Sequence, residues 1–104
     1  MPKRVKMGHH YYYVVSPEEL GSGGFRGKNI VMEGFVEDKP QIEFYPSDIP
    51  SWRTIFRVNG ISVRFVGAPC LGEGDRVKVY GRFVGDCIMA TVLETERAIF
   101  TTEE

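Results

Sequence analysis

Gly74-Asp75-Arg76-Val77-Lys78-Val79-Tyr80-Gly81-Arg82-Phe83 is the stretch whose reading decides how this chain folds. Val77, Val79, Gly81 and Phe83 fall at every second place, with Arg76, Lys78, Tyr80 and Arg82 between them. Successive side chains of a strand point to opposite faces, so the alternation predicts a strand that is apolar on one side and basic on the other. Gly74-Asp75 marks a turn into it, and Gly81 stands where a small, sharply coiled sheet leaves no room for a side chain.

The same period of two extends in both directions. Residues 52–58 and 61–66 place Phe56, Val58, Ile61, Val63 and Phe65 on one face, and Arg53, Ile55, Arg57, Ser62, Arg64 and Val66 on the other. Asn59-Gly60 between them is the signal of a two-residue type I′ hairpin. Residues 87–95 pair back onto 75–84 around Gly85-Asp86. From Asn29, Ile30, Met32, Gly34 and Val36 point one way, while Val31, Glu33, Phe35 and Glu37 point the other. Residues 39–51 hold Pro40, Pro46 and Pro50 and read as a long connection, since proline is excluded from a central strand. Residues 68–74 are too few for a helix.

Five strands in this order predict an all-β fold, a five-stranded Greek-key barrel of the OB type over residues 29–96. The glycine, aspartate, valine and glycine spacing of residues 74–83 also resembles the fourth strand of many OB-fold nucleic-acid-binding proteins. Residues 1–28 read as an elaboration: a frayed basic tail to Met7, an extended segment over residues 9–15, then a short helix. Ser16-Pro17-Glu18-Glu19 supplies a helix cap, a proline at the first position and carboxylates at the positive end of the dipole. Gly21 to Gly24 ends that helix, and residues 97–104 read as a C-terminal tail.

At 104 residues the chain can bury one core without disulfide or metal staples. Its net charge of -1 provides no global field toward nucleic acid or anionic lipid, so any such binding rests on local clustering. No apolar run is long enough to form a spanning helix, and the expected setting is cytoplasmic, without membrane contact. Scarce Asn and Gln beside plentiful charges of both signs resemble a thermophile's composition. Cys70 and Cys87 can be read either as a bridge or as two free thiols.

No catalytic constellation is legible, and the chain is not expected to be an enzyme. Gly21-Ser22-Gly23-Gly24-Phe25-Arg26-Gly27-Lys28 ends in Gly-Lys, yet Ser22 stands where the first glycine of a phosphate loop belongs. Asn29 replaces the hydroxyl, and a strand follows instead of a helix, so the run reads as a flexible linker. His9 and His10 sit together, far from either cysteine, and give neither a triad nor a zinc spacing. The pairs Glu18-Glu19, Glu37-Asp38 and Glu103-Glu104 read as solvated charges. No cofactor or metal is expected.

What remains is the outward face. With the valines and phenylalanines inside, Arg53, Arg57, Arg64, Lys78, Tyr80, Arg82 and Phe35 point to solvent, and Phe44, Tyr45 and Trp52 lie in or beside the long connection. Arginines that follow phosphates and rings that stack on bases are the means by which such barrels hold single strands, so these ten residues are the candidate nucleic-acid site. The competing reading is structural: Glu33 or Glu37 could pair across strands with Arg53, Arg57, Lys78 or Arg82 and neutralise the patch.

A second resemblance spans most of the chain. The tyrosine-rich Tyr11-Tyr12-Tyr13-Val14-Val15, the Ser16-Pro17 helix start, residues 31–36 and residues 74–93 are together similar to the soluble domain of the cytochrome c maturation haem chaperone, the CcmE type. That likeness implies the barrel and a protein-interaction or assembly role, with a partner docked on the Tyr11–Tyr13 strand. Glu96 stands where the family carries its haem-linked histidine or cysteine, and Phe100 where it carries a tyrosine, so the resemblance does not extend to haem attachment.

Overall fold

A computed structural model describes residues 3–102; Met1, Pro2 and the Glu103-Glu104 pair lie outside them. The described strands are β1 (Arg4–Met7), β2 (His10–Val14), β3 (Asn29–Phe35), β4 (Gln41–Tyr45), β5 (Ser51–Val58), β6 (Ile61–Val66), β7 (Arg76–Phe83), β8 (Cys87–Thr95) and β9 (Ile99–Thr101). Helix α1 (Pro17–Gly21) lies between β2 and β3. The strands form one all-β sheet in the order β1-β2-β3-β7-β8-β6-β5-β4, with β9 against β8. Neighbours are antiparallel except at β2–β3 and β6–β8, which run parallel. The sheet is not closed. Its nearest approach to closure is one isolated bridge between Val36 and Val58, beside which the Glu37 amide donates to the Arg57 carbonyl at 2.9 Å.

The core follows the alternation. Ile30, Met32, Val36, Phe56, Val58, Val63, Phe65, Val77, Val79, Phe83, Ile88 and Leu93 are buried together, with Ile61 half-buried against them. Thr54 is the buried polar side chain among them, and its hydroxyl donates to the Gly67 carbonyl at 2.8 Å, so no polar atom is left unpaired there. Asn59 and Gly60 adopt φ of 54° and 78°, the two left-handed residues that a type I′ turn needs. That turn is fastened to β3 from two sides: Asn59 Nδ2 donates to the Glu33 carbonyl at 3.2 Å, and Glu37 Oε1 accepts the Gly60 amide. Ser16 caps α1 as its sequence implies, and Glu19 reaches back to the Ser16 amide to complete a capping box.

Several expectations are corrected. Residues 4–7 are not a frayed tail, because they form β1, paired with β2 from Arg4 opposite Tyr13 to Met7 opposite His10. The long connection holds β4, an edge strand paired with β5 and exposed throughout. Its flanking prolines are compatible with an edge, where no ladder bond is lost. The C-terminal tail contains β9, opposite Val92 to Glu94. Residues 22–28 are a series of turns held to the sheet, the Gly27 amide donating to the Phe83 carbonyl at 2.6 Å and Phe25 packing on the core. Cys70 and Cys87 are both free. Among the described residues no helix is long and apolar enough to cross a membrane.

The register between β7 and β8 slips at Tyr80/Gly81, which leaves Thr91 opposite no residue of β7 and coils the pair sharply. A Cβ on Gly81 would lie 2.4 Å from the Met89 carbonyl oxygen and 2.7 Å from the Ala90 Cα, backbone atoms with no rotamer to yield. Gly81→Ala is therefore expected to destabilise the fold by about 2–3 kcal/mol, the cost of overpacking a rigid site, as read from the midpoint of a urea unfolding curve.

Candidate nucleic-acid interface

The face of β5 and β6 turned away from the core carries most of the predicted basic residues. Ile55 stands opposite Arg64, with Arg53 and Arg57 two places to either side of Ile55 on β5. Arg64 is level with Met89 of β8, and Met89 with Arg82 of β7. Arg53, Arg57, Arg64 and Arg82 thus share one exposed face, floored by the half-buried Ile55 and the exposed Met89. Beside them Tyr45 of β4 lies with the Arg53 guanidinium 4.2 Å from its ring centroid, a cation–π contact that holds both groups in place.

None of these four arginines makes an ion pair among the described residues. Four carboxylates near them, including Glu43 directly opposite Arg53, hydrogen-bond to other groups. Glu33 binds Arg76 at 2.9 Å, Glu37 accepts the Gly60 amide, Glu43 accepts the Tyr45 hydroxyl at 2.9 Å, and Glu94 accepts the Tyr80 hydroxyl at 2.9 Å. The hydrogen bond and charge of Glu33 raise the pKa of Arg76 above its ordinary value. Among the described residues none of the expected cross-strand pairs of Glu33 or Glu37 with Arg53, Arg57, Lys78 or Arg82 forms, and Glu33 pairs with Arg76 instead.

The other predicted residues are dispersed. Lys78 is opposite Glu33 and Glu94 and lines a groove with Arg76, Glu94 and Glu96, a mixed-charge surface apart from the arginine face. Phe35 is exposed at the end of β3 and faces a separate groove with Arg76, Arg97 and Phe100. Phe44 and Trp52 pair across β4 and β5 with ring centroids 4.9 Å apart. They are 48% and 51% exposed. By alternation they fall on the side of Thr54 and Phe56, so they extend the core face past the rim of the sheet rather than joining the arginines.

Tyr80 is a correction. Its place on β7 directs it outward, yet it is only 5% exposed, because the β1–β2 hairpin folds over it. Tyr12, Val31, Tyr80 and Val92 form a second apolar cluster outside the main core, with Val5 and Met7 packed against it. The Tyr12 ring meets Tyr80 edge-on at 5.4 Å, and its hydroxyl lies 3.0 Å from Thr91 Oγ1. Tyr80 therefore offers no face to a base. The same packing uses Tyr12 of the expected protein-docking strand, leaving Tyr11 exposed and Tyr13 half-buried against Phe25.

A feature that the sequence reading passed over is a shallow groove of about 150 Å³ along the arginine face, lined by Arg53, Arg64, Val66, Met89, Thr91 and Thr102. Thr102 is tied there by its amide to the Thr91 carbonyl at 2.9 Å, and Thr91 is the residue released by the β8 bulge. Cys87 borders the same face; burial raises its thiol pKa against the opposing pull of Arg64. Comparisons of the chain with protein-family models, with curated proteins and with solved structures returned no match.

Burial, reinforced by the hydrogen bond to Glu94, raises the pKa of Tyr80 from 10.0 to about 12. Because the folded value lies above the unfolded one, the stabilisation is complete below pH 10 and is lost as the pH rises through 12. Tyrosinate absorbance is expected to show a step at about pH 12 that is absent from Tyr80→Phe. That variant should also unfold at a pH less dependent on the alkaline limb.

Proposed function

We propose that the chain is a non-enzymatic OB-fold module that binds single-stranded nucleic acid across the outer face of β5 and β6. The barrel part of this reading is supported by strand adjacency. Taken as first to fifth strands, β3, β5, β6, β7 and β8 have the neighbours of an OB barrel, including the parallel contact between third and fifth, and the Val36–Val58 bridge brings first and second together. At Gly34 a Cβ would lie 2.6 Å from Val58 Cγ1, so the glycine permits that approach.

The observation that carries the ligand class is that, among the described residues, Arg53, Arg57, Arg64 and Arg82 form no ion pair on their shared face, while Glu33, Glu37, Glu43 and Glu94 hydrogen-bond to other groups. A guanidinium without a protein partner keeps its planar donors free for a phosphate, and the flat fork suits that ion better than an ammonium does. Tyr45, braced by Arg53, supplies a ring beside the phosphate track, and Ile55 and Met89 supply apolar contact for base or sugar. Base identity is left to such stacking, which favours a sequence-tolerant binder.

A second reading, a protein-docking module as the haem-chaperone likeness implies, is favoured by one observation: Ile42, Phe44 and Trp52 expose an apolar face on the β4–β5 arm. Salt separates the two. Displaced counterions make nucleic-acid affinity fall log-linearly with salt, by a slope of about 0.7 per phosphate neutralised on a single strand. Titration with labelled mixed-sequence single strands is expected to show saturable, salt-sensitive binding. Arg57→Glu and Arg64→Glu should each weaken it and flatten the slope, and Tyr80→Phe should leave it unchanged. A wild-type chain that binds no strand at low salt would end this reading.

A further inference from the structure

We propose that the β1–β2 hairpin is a second contact for the same single strand, a basic platform that lengthens the track begun on β5 and β6. This inference rests on the nucleic-acid reading above. Arg4 is opposite Tyr13 and Lys6 opposite Tyr11, so these four side chains share one face of the hairpin. The other face bears Val5, Met7 and Tyr12, which are occupied with Tyr80. The hairpin thus hides one ring of the barrel surface and presents another, since Tyr11 is 56% exposed.

The presented face is arranged for an anion that carries flat rings. Arg4 and Lys6 stand 5.5 and 5.9 Å from the centroid of Tyr11, and Lys28 stands 5.6 Å from that of Tyr13. Cation and ring are thereby held side by side, as phosphate and base are along a single strand. No aspartate or glutamate occurs between residues 3 and 17, although the whole chain carries a net charge of -1. The hairpin is therefore a local positive region on a nearly neutral molecule. An anionic lipid surface is the poorer match, because Val5, Met7 and Tyr12 pack inward and the exposed Val14 alone is too small an apolar wedge to enter acyl chains.

The two surfaces meet at Thr91. Its hydroxyl contacts Tyr12 of the hairpin, and the same residue lines the groove with Arg53, Arg64 and Met89. A strand lying in that groove reaches the hairpin without crossing an acidic side chain among the groove's lining residues. Packing on Tyr80 fixes the platform, so its contacts are made without ordering a loose tail.

The test compares labelled single strands of about 6 and about 16 nucleotides, the range held by one OB fold, on the full chain and on an Arg4→Ser/Lys6→Ser double variant. An unchanged unfolding midpoint shows that the variant is folded, since both side chains are exposed and Ser keeps the strand pairing. The expected result is unchanged affinity for the short strand, several-fold weaker affinity for the long one, and a long-strand salt slope lower by about 1.4, two phosphate contacts' worth. Long-strand affinity and slope equal to wild type, with Arg57→Glu still weakening both lengths, would overturn the hairpin contact and leave the β5–β6 site standing. Equal losses on both lengths would overturn the extension by placing the hairpin within the primary site. Failure of wild type to bind either strand would remove the underlying reading instead, and wild-type binding only to phosphatidylserine vesicles would assign the platform to membranes.

Discussion

A side chain on a strand has two directions open to it, and in a sheet coiled this tightly only one of them leads to water. On β7 that constraint places Val77, Val79 and Phe83 in the core and directs Arg76, Lys78 and Arg82 to the outside. β5 and β6 obey it in the same phase, which is why Arg53, Arg57 and Arg64 arrive on a common surface although ten residues lie between the ends of that set. Gly81 and the bulge opposite it sharpen the coil that keeps the two phases apart. A slip of one residue in any of these pairings would bury guanidinium groups and expose valines, so burial itself fixes the register.

What the outer surface then becomes depends on what lies over it and on where its carboxylates turn. Over Val31, Tyr80 and Val92 the hairpin adds a second layer, and the surface there is structural. Over β5 and β6 Arg53, Arg57 and Arg64 stay exposed, with only the Tyr45 ring of the described residues held against Arg53. Four carboxylates near the basic strands hydrogen-bond to an arginine outside the set, a turn amide and two tyrosine hydroxyls. A Glu–Arg pair on an open surface contributes about 0–1 kcal/mol, no more than a charge-assisted bond to an amide or hydroxyl, so stability alone does not compel the arginines to be paired.

Most of the main sheet was legible because each of its strands declares its own period. The two tight hairpins and the capped helix came from local signals that need no partner: Asn59-Gly60, Gly85-Asp86 and Ser16-Pro17. The edge strands were not legible for the opposite reason. β4 is exposed throughout and carries no alternation of burial, while β1 and β9 alternate only over four and three residues and bury none of them fully, so the strand beside each is what makes it a strand. Tyr80 illustrates the same limit within the candidate site. Its period is outward, and the residue that covers it, Tyr12, lies in a segment whose pairing with β3 is parallel and brief, from Tyr13 to Val14. Nor does alternation rank diagonal against direct neighbours. Glu33 stands opposite Lys78 yet binds Arg76, two places along the same face.

This separation has a functional consequence on the proposed reading. Cohesion resides in the buried sides of β3, β7, β8, β5 and β6 and in the hairpin's packing on Tyr80, whereas the proposed contacts are exposed tips whose removal touches no core atom. Exposed substitutions away from caps, turns and buried networks change stability by only about 0.5 kcal/mol, so the basic face is free to vary without endangering the fold. Phe44 and Trp52 are the exception to that economy, because they leave apolar surface in water on a projecting edge strand, which invites association. The arm limits this exposure through its shortness, Glu43 at its centre and prolines at 40, 46 and 50, all of which discourage another strand from pairing along it. With strand addition disfavoured, what the arm presents is the exposed apolar face of Ile42, Phe44 and Trp52 rather than its backbone.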